Sequence, residues 1–140
     1  MKRPYLLVCL LFFLNFMTAC GHKEGYIHRE DALKRGYIVL EGTNSHNHER
    51  FDMFLKNVDS KREDQITIVI YDLVRNQYVL TIDYDGENYY ASRYFMDQNH
   101  KKSQTIDKLL FTHLSYTSSK NYFLTNENKI HSDLWIYQGK

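Results

Sequence analysis

An apolar run over residues 5–17, interrupted only by Asn15, opens this chain; one stretch with helical spacing and several with strict alternation follow. Residues 28–35 predict a brief helix, with Glu30 and Asp31 early, Lys34 and Arg35 late and Gly36 as its stop, the charge order a helix dipole favours. Residues 37–40 then read as a first strand and 41–47 as a polar loop rich in turn formers. Asn47 is placed to cap a second helix that ends near Val58. There Phe51, Phe54, Leu55 and Val58 stand at i, i+3, i+4 and i+7 and form one apolar stripe.

Beyond a charged connector, 59–64, the run Ile66-Thr67-Ile68-Val69-Ile70 is apolar on both faces, which predicts a central strand covered by helix on at least one side. Residues 73–76 form a turn. Tyr78, Leu80, Ile82 and Tyr84 alternate with Val79, Thr81 and Asp83, and Asp85-Gly86 supplies positive-φ turn chemistry before 89–95, so the two runs predict a β-hairpin. A polar loop, 97–103, follows. Residues 105–117 fit two patterns: Ile106, Leu109, Leu110, His113 and Leu114 have helical spacing, whereas 111–116 alternates, and the strand reading is adopted. Residues 122–124 and 134–137 predict final strands separated by the polar stretch 126–133. The expected fold is α+β, an antiparallel sheet of about five strands with one amphipathic helix and one short helix packed on one face. The other face is expected to be partly open to solvent and to carry several tyrosines.

The opening run changes what kind of protein this is. Lys2-Arg3 precedes it, and it is too short to span a bilayer, which takes roughly 20 apolar residues. It ends in Met17-Thr18-Ala19-Cys20-Gly21, which resembles the lipobox of bacterial lipoproteins, with Met17 where leucine is usual. The resemblance implies that residues 1–19 are a removed signal peptide, that Cys20 carries a diacylglycerol and becomes the new N-terminus, and that the protein is held by lipid at the extracytoplasmic face of the cell membrane. An ordinary signal peptide with a coincidental cysteine and a short uncleaved anchor are the alternatives. Because each buried methylene contributes about 0.8 kcal/mol, two acyl chains hold a membrane where one binds it reversibly. Residues 20–27 then read as a lipidated tether and 28–140 as a single small α+β domain.

Charge removes one class of partner. The chain has 18 Lys+Arg and 17 Asp+Glu, and loss of Lys2 and Arg3 with the signal leaves 16 against 17, a balance that gives no electrostatic case for nucleic acid. Cys9 lies in the signal and Cys20 would be lipidated, so the domain has no cysteine left for a disulfide. Its stability must come from packing, for which 12 Tyr and 8 Phe are the material.

Three stretches together carry a second resemblance: "ALKRGYIVLEGT" from Ala32, "ERFDMFLKNVDSKREDQITIVIYD" from Glu49, and "LTIDYDGENY" from Leu80. In this order they resemble the Gram-positive lipoproteins of domain of unknown function 4362. The shared parts are a short helix ending at Gly36, the strand with Val39 and Gly42, the stripe from Phe54 to Val58, the strand from Ile66 to Tyr71 and the Asp85-Gly86 hairpin. Members often carry a C-terminal cysteine pair that is absent here. The resemblance implies export, lipidation and a small α+β domain, and no known activity.

Candidate chemistry is sparse. His46 and His48 flank Asn47 in a loop where two imidazoles, with Glu49 as an oxygen ligand, could face a divalent metal; a tight site needs three or four ligands, and a polar loop capping the next helix explains the same letters. Residues 83–88 resemble a calcium loop only faintly, since the twelfth position holds Tyr94 in place of a bidentate Glu. Tyr78 with Tyr84, and Tyr90 with Tyr94, share strand faces and are candidates for an aromatic platform that binds a glycan, a peptide or a surface protein; core packing is the alternative. No nucleophile elbow, zinc-protease motif or phosphate loop is present, so no catalytic residue and no cofactor is expected. The reading is a lipid-anchored binding or interaction module and not an enzyme. A metal- or small-ligand-binding accessory lipoprotein and a surface hydrolase are the alternatives.

Overall fold

A computed structural model describes residues 25–126 and 133–139. The segment 1–19, Cys20 and the start of the expected tether lie outside the described residues. Helix α1, Arg29–Lys34, stops where Gly36 turns the chain at φ 74, and the amides of Gly36 and Tyr37 return to the carbonyls of Leu33 and Ala32. Strands β1, Ile38–Glu41, and β2, Asn44–His46, form a small hairpin before helix α2, His48–Asp59. Strands β3, Asp64–Tyr71, β4, Gln77–Tyr84, β5, Tyr89–Met96, and β6, Lys102–Phe111, then form a meander. Strands β7, His113–Tyr116, β8, Asn121–Thr125, and β9, Leu134–Gln138, form a second sheet.

The main sheet has the order β2-β1-β3-β4-β5-β6, antiparallel throughout except that β1 and β3 run parallel with α2 as part of their crossover. The α+β class with one long and one short helix is as expected. Its details differ from the expectation: six strands in place of about five, one parallel pair, and a separate antiparallel sheet β7-β8-β9. The stretch 41–47 is not a plain loop, because β2 pairs with β1 there. The strand reading of 105–117 holds, with a break at Thr112 between β6 and β7.

The helices pack on opposite faces, not on one. Neighbouring residues of a strand point to opposite sides. On one side, here the inner face, Ile38, Ile68, Leu80 and Ile82 pack with Phe51 and Phe54 of α2 and with Leu124 and Ile136 of the second sheet. On the other, outer face, Val39, Val69 and Val79 pack with Ala32 of α1. The two-faced apolar character of β3 is the physical cause, since a strand with isoleucines on one side and Val69 on the other needs cover on both.

Two local expectations are also corrected. Asn47 does not cap α2 with its side chain. It sits at φ 56, and its Nδ2 donates to the Tyr37 carbonyl at 2.9 Å, tying the helix start to the head of β1. The expected tether, 20–27, does not run free to its end: Ile27 is hydrogen-bonded to Gln77 and Tyr71, and Tyr26 packs beside the outer-face cluster.

Candidate functional site

Strand register sets up a gradient on the outer face. Val69, Val79 and Tyr94 form one row across β3, β4 and β5; Thr67, Thr81 and Ser92 form the next; Gln65, Asp83 and Tyr90 form the last. The first row lies in or against the apolar cluster under α1. The second is a row of hydroxyls, with Thr67 Oγ1 and Thr81 Oγ1 3.3 Å apart. In the third, Gln65 Nε2 donates to the Asp83 carboxylate. Helix α1, only two turns long, covers the apolar end and leaves the hydroxyl row at the floor of an open concavity of about 430 Å³.

The wall nearest the helix consists of Ile27, Tyr37 and Tyr94, and the rim carries Arg35 and Lys108 against one carboxylate, Asp107; Arg93, opposite Leu80, belongs to the inner-face side of β5. The rim is built by an irregularity. Ala91 pairs with Leu109 and Arg93 with Ile106, so the single residue Ser92 faces both Asp107 and Lys108. Lys108 sits at φ 44, an unfavourable region for a side-chain-bearing residue, and its amide donates to Ser92 Oγ at 3.1 Å. A bulge of this kind re-aims side chains, and here Asp107 and Lys108 both line the concavity. Burial, reinforced by Tyr37 and opposed by the Arg35 charge, raises the Tyr94 phenol above its ordinary value, so it stays a neutral donor. That hydroxyl reaches the Gly25 carbonyl at 3.4 Å. The arrangement offers hydroxyls, aromatic walls and a net cationic rim, which suits a polar, negatively charged ligand.

The expected tyrosine platform is divided. Tyr84 is in the core, where its ring lies 4.8 Å from that of Tyr89 and its hydroxyl donates to the Gly86 carbonyl at 2.8 Å. Tyr78 lies on the inner face, half exposed beside Phe95. Only Tyr90 and Tyr94 belong to the outer face. Tyr78 and Phe95 border a smaller concavity of about 250 Å³, closed on its far side by Leu134 and Trp135.

His46 ends β2 and His48 begins α2. An Arg29 guanidinium nitrogen lies 3.2 Å from the His46 Nε2. His48 Nδ1 lies 4.0 Å from the Glu49 carboxylate on the exposed start of α2. Among the described residues no group of three or more His, Cys, Asp or Glu is placed to hold a metal ion. Asp85 accepts the amides of Glu87 and Asn88 and so serves the hairpin turn. Cys20 lies outside the described residues.

A third concavity, at the edge near α1, brings His28, His100 and Tyr26 into one ring cluster, in which the Tyr26 ring stacks on His100 at 4.2 Å. Its carboxylates are already engaged: Glu41 pairs with Arg29, and Asp72 accepts the amides of Val74 and Asn76. The hydroxyl row and its cations escaped the sequence reading. Their one visible signal was that Thr67 and Thr81 interrupt otherwise apolar strands; only register shows that they meet.

No family model, curated protein or solved structure matches the chain. The resemblance to the domain of unknown function 4362 lipoproteins therefore rests on the quoted motifs. Among the described residues no helix is long and apolar enough to cross a membrane.

Proposed function

We propose that the protein is a lipid-anchored extracytoplasmic binding module, and that it takes a small polyol or sugar bearing negative charge on the uncovered part of its outer face. The observation that carries the ligand reading is the bulge opposite Ser92. It holds Lys108 at a positive φ and sets Lys108 beside a row of three hydroxyls that no helix covers. Arg35 adds charge that complements a carboxylate or phosphate, and Tyr37 and Tyr94 supply faces for a sugar ring. The anchor reading rests on Met17-Thr18-Ala19-Cys20-Gly21 and the apolar run before it.

Two experiments test the two halves. A Cys20→Ala variant is expected to leave the membrane fraction, and retention in the pellet after a high-salt wash defeats the anchor. For the ligand, amide shifts of Thr67, Thr81, Ser92 and Lys108 are followed by NMR during titration with glucose 6-phosphate and with glucose. The phosphate is expected to move them at lower concentration, and Arg35→Ala/Lys108→Ala is expected to weaken that response about tenfold or more. Equal responses to both sugars, or none at the hydroxyl row, defeat the site.

A further inference from the structure

We propose that the outer face is the membrane-facing side of the anchored protein, and that its concavity receives the phosphate-bearing headgroup of an anionic phospholipid. This rests on the lipidation of Cys20 and on the outer-face site proposed above. The described chain begins at the wall of this concavity. Ile27 lines the concavity, and both its backbone groups are bonded to the buried Gln77 carboxamide. Its carbonyl also accepts the Tyr71 hydroxyl at 2.6 Å, and two residues earlier the Gly25 carbonyl accepts Tyr94. The first described residues are therefore part of the wall of the site, held by four hydrogen bonds.

From Gly25 back to Cys20 the chain has only five residue steps. At about 3.5 Å each, the longest possible reach is roughly 17 Å. The domain is layered, with α1 and α2 on opposite faces of the main sheet. Packed layers stand about 10 Å apart, so the far surface of α2 is more than 20 Å from the outer face. A lipid on Cys20 cannot reach past that thickness while the outer face looks into solvent, and the face that carries Gly25 is drawn to the bilayer.

Charge then matches what the tether brings near. Arg35 and Lys108 line the concavity against Asp107, and each basic residue close to an anionic leaflet strengthens association about fivefold. The hydroxyl row fits a polyol headgroup, and Tyr37 and Tyr94 are the side chains that favour the headgroup level of a membrane.

The opposed helices supply the test. Lys34 on α1 and Met53 on α2 are both exposed, and Cys20 is the one cysteine of the chain beyond residue 19. Once Cys20 is acylated, a cysteine introduced by Lys34→Cys or Met53→Cys is the only thiol that takes a dye. Each lipidated, labelled protein is reconstituted into vesicles of phosphatidylcholine with or without phosphatidylglycerol, containing a lipid with a headgroup quencher. Dye at Lys34→Cys is expected to be quenched several-fold more than dye at Met53→Cys. Equal or reversed quenching overturns the orientation. In phosphatidylglycerol vesicles the contrast is expected to exceed that in phosphatidylcholine alone, and Arg35→Ala/Lys108→Ala is expected to abolish the difference. A contrast indifferent to lipid charge, or one that soluble glycerol 3-phosphate fails to reduce at saturating concentration, overturns the headgroup site. The mass of the protein is measured first: absence of the diacylglycerol on Cys20 overturns the anchor itself, whereas an acylated protein without contrast overturns the orientation alone.

Discussion

Gln77, wholly buried at the start of β4, holds Ile27 by both ends of its carboxamide: the Ile27 amide donates to Oε1 at 3.1 Å, and Nε2 donates to the Ile27 carbonyl at 2.7 Å. A side chain thus plays the part of a neighbouring strand, and it fixes the segment that leads into α1.

Replacing Gln77 by Leu keeps the volume and removes both bonds. The Ile27 carbonyl retains Tyr71 as a donor, but the amide loses its only partner in this pair, and a buried unsatisfied donor costs about 1–3 kcal/mol. Urea unfolding of Gln77→Leu is expected to show that loss, and hydrogen exchange of the Ile27 amide is expected to accelerate. Unchanged protection of that amide shows the clamp to be dispensable.

Asp64 is held at the mouth of β3 by Arg50, which donates to Oδ2 at 3.0 Å and also to Oδ1, and by Asn57, which donates to Oδ2 at 2.9 Å. Burial opposes its charge, but the bonds from Arg50 and Asn57, the Arg50 charge and the Gln65 amide outweigh it, and the carboxyl ionises below its ordinary 3.8. The folded value is depressed, so the stabilisation is present above the ordinary carboxylate range and is lost as pH falls through the folded value. Asp64→Asn is expected to cost about 1.5–3 kcal/mol at neutral pH, the range for hydrogen bonds to a charged group. It is also expected to flatten the decline in melting temperature below about pH 4, measured by circular dichroism.

At the alkaline end two phenols matter. Burial, aided by Tyr26, pushes Tyr71 up to about 12, and burial, aided by Tyr84, does the same for Tyr89. Both folded values are raised, so an unfolded chain releases these protons first. Stability is therefore full below pH 10 and falls as pH rises from there toward 12. Absorbance titration of the phenolate band is expected to show two late-titrating tyrosines in the native protein. Tyr71→Phe is expected to remove one of them.

The second sheet gives a stability test with its own reporter. Leu124 is fully buried in β8, within the cluster that joins α2 to both sheets. Leu124→Ala is expected to cost about 2–5 kcal/mol. Trp135 is the only tryptophan and is 39% exposed beside Leu134. Its emission is expected to shift to longer wavelength in Leu124→Ala as the second sheet loosens, and an unaltered spectrum at unaltered stability contradicts this docking.

Features set by neighbours in sequence were legible. The stripe Phe51, Phe54, Leu55, Val58 gave α2, since helical period alone aligns those side chains. Asp85-Gly86 gave the β4–β5 hairpin, where Gly86 sits at φ 97 and the Asp85 carboxylate accepts the following amides. The four candidate tyrosines fared differently. Alternation correctly paired Tyr78 with Tyr84 and Tyr90 with Tyr94, yet it could not say that the pairs lie on opposite sides of the sheet or that Tyr84 is core. His46 and His48 looked like partners because they are two residues apart. The structure sets them on different elements, with Asn47 at a positive φ between them and Arg29 beside His46, and neither feature is visible in a string of letters.

By itself the sequence determined an α+β domain with one amphipathic helix, the central place of β3 and the turn of its main hairpin, because each depends on a period or a dihedral preference that a few adjacent residues enforce. It also supplies the stretch around Cys20 on which the anchor reading stands. Tertiary structure alone decided that the helices face opposite ways, that a second sheet closes the inner face, and that Thr67, Thr81 and Ser92 form one row beneath Lys108. The reason is register. Which residues meet across strands depends on how the strands are offset and on where a bulge inserts an extra residue, and that offset is fixed by packing on both faces at once.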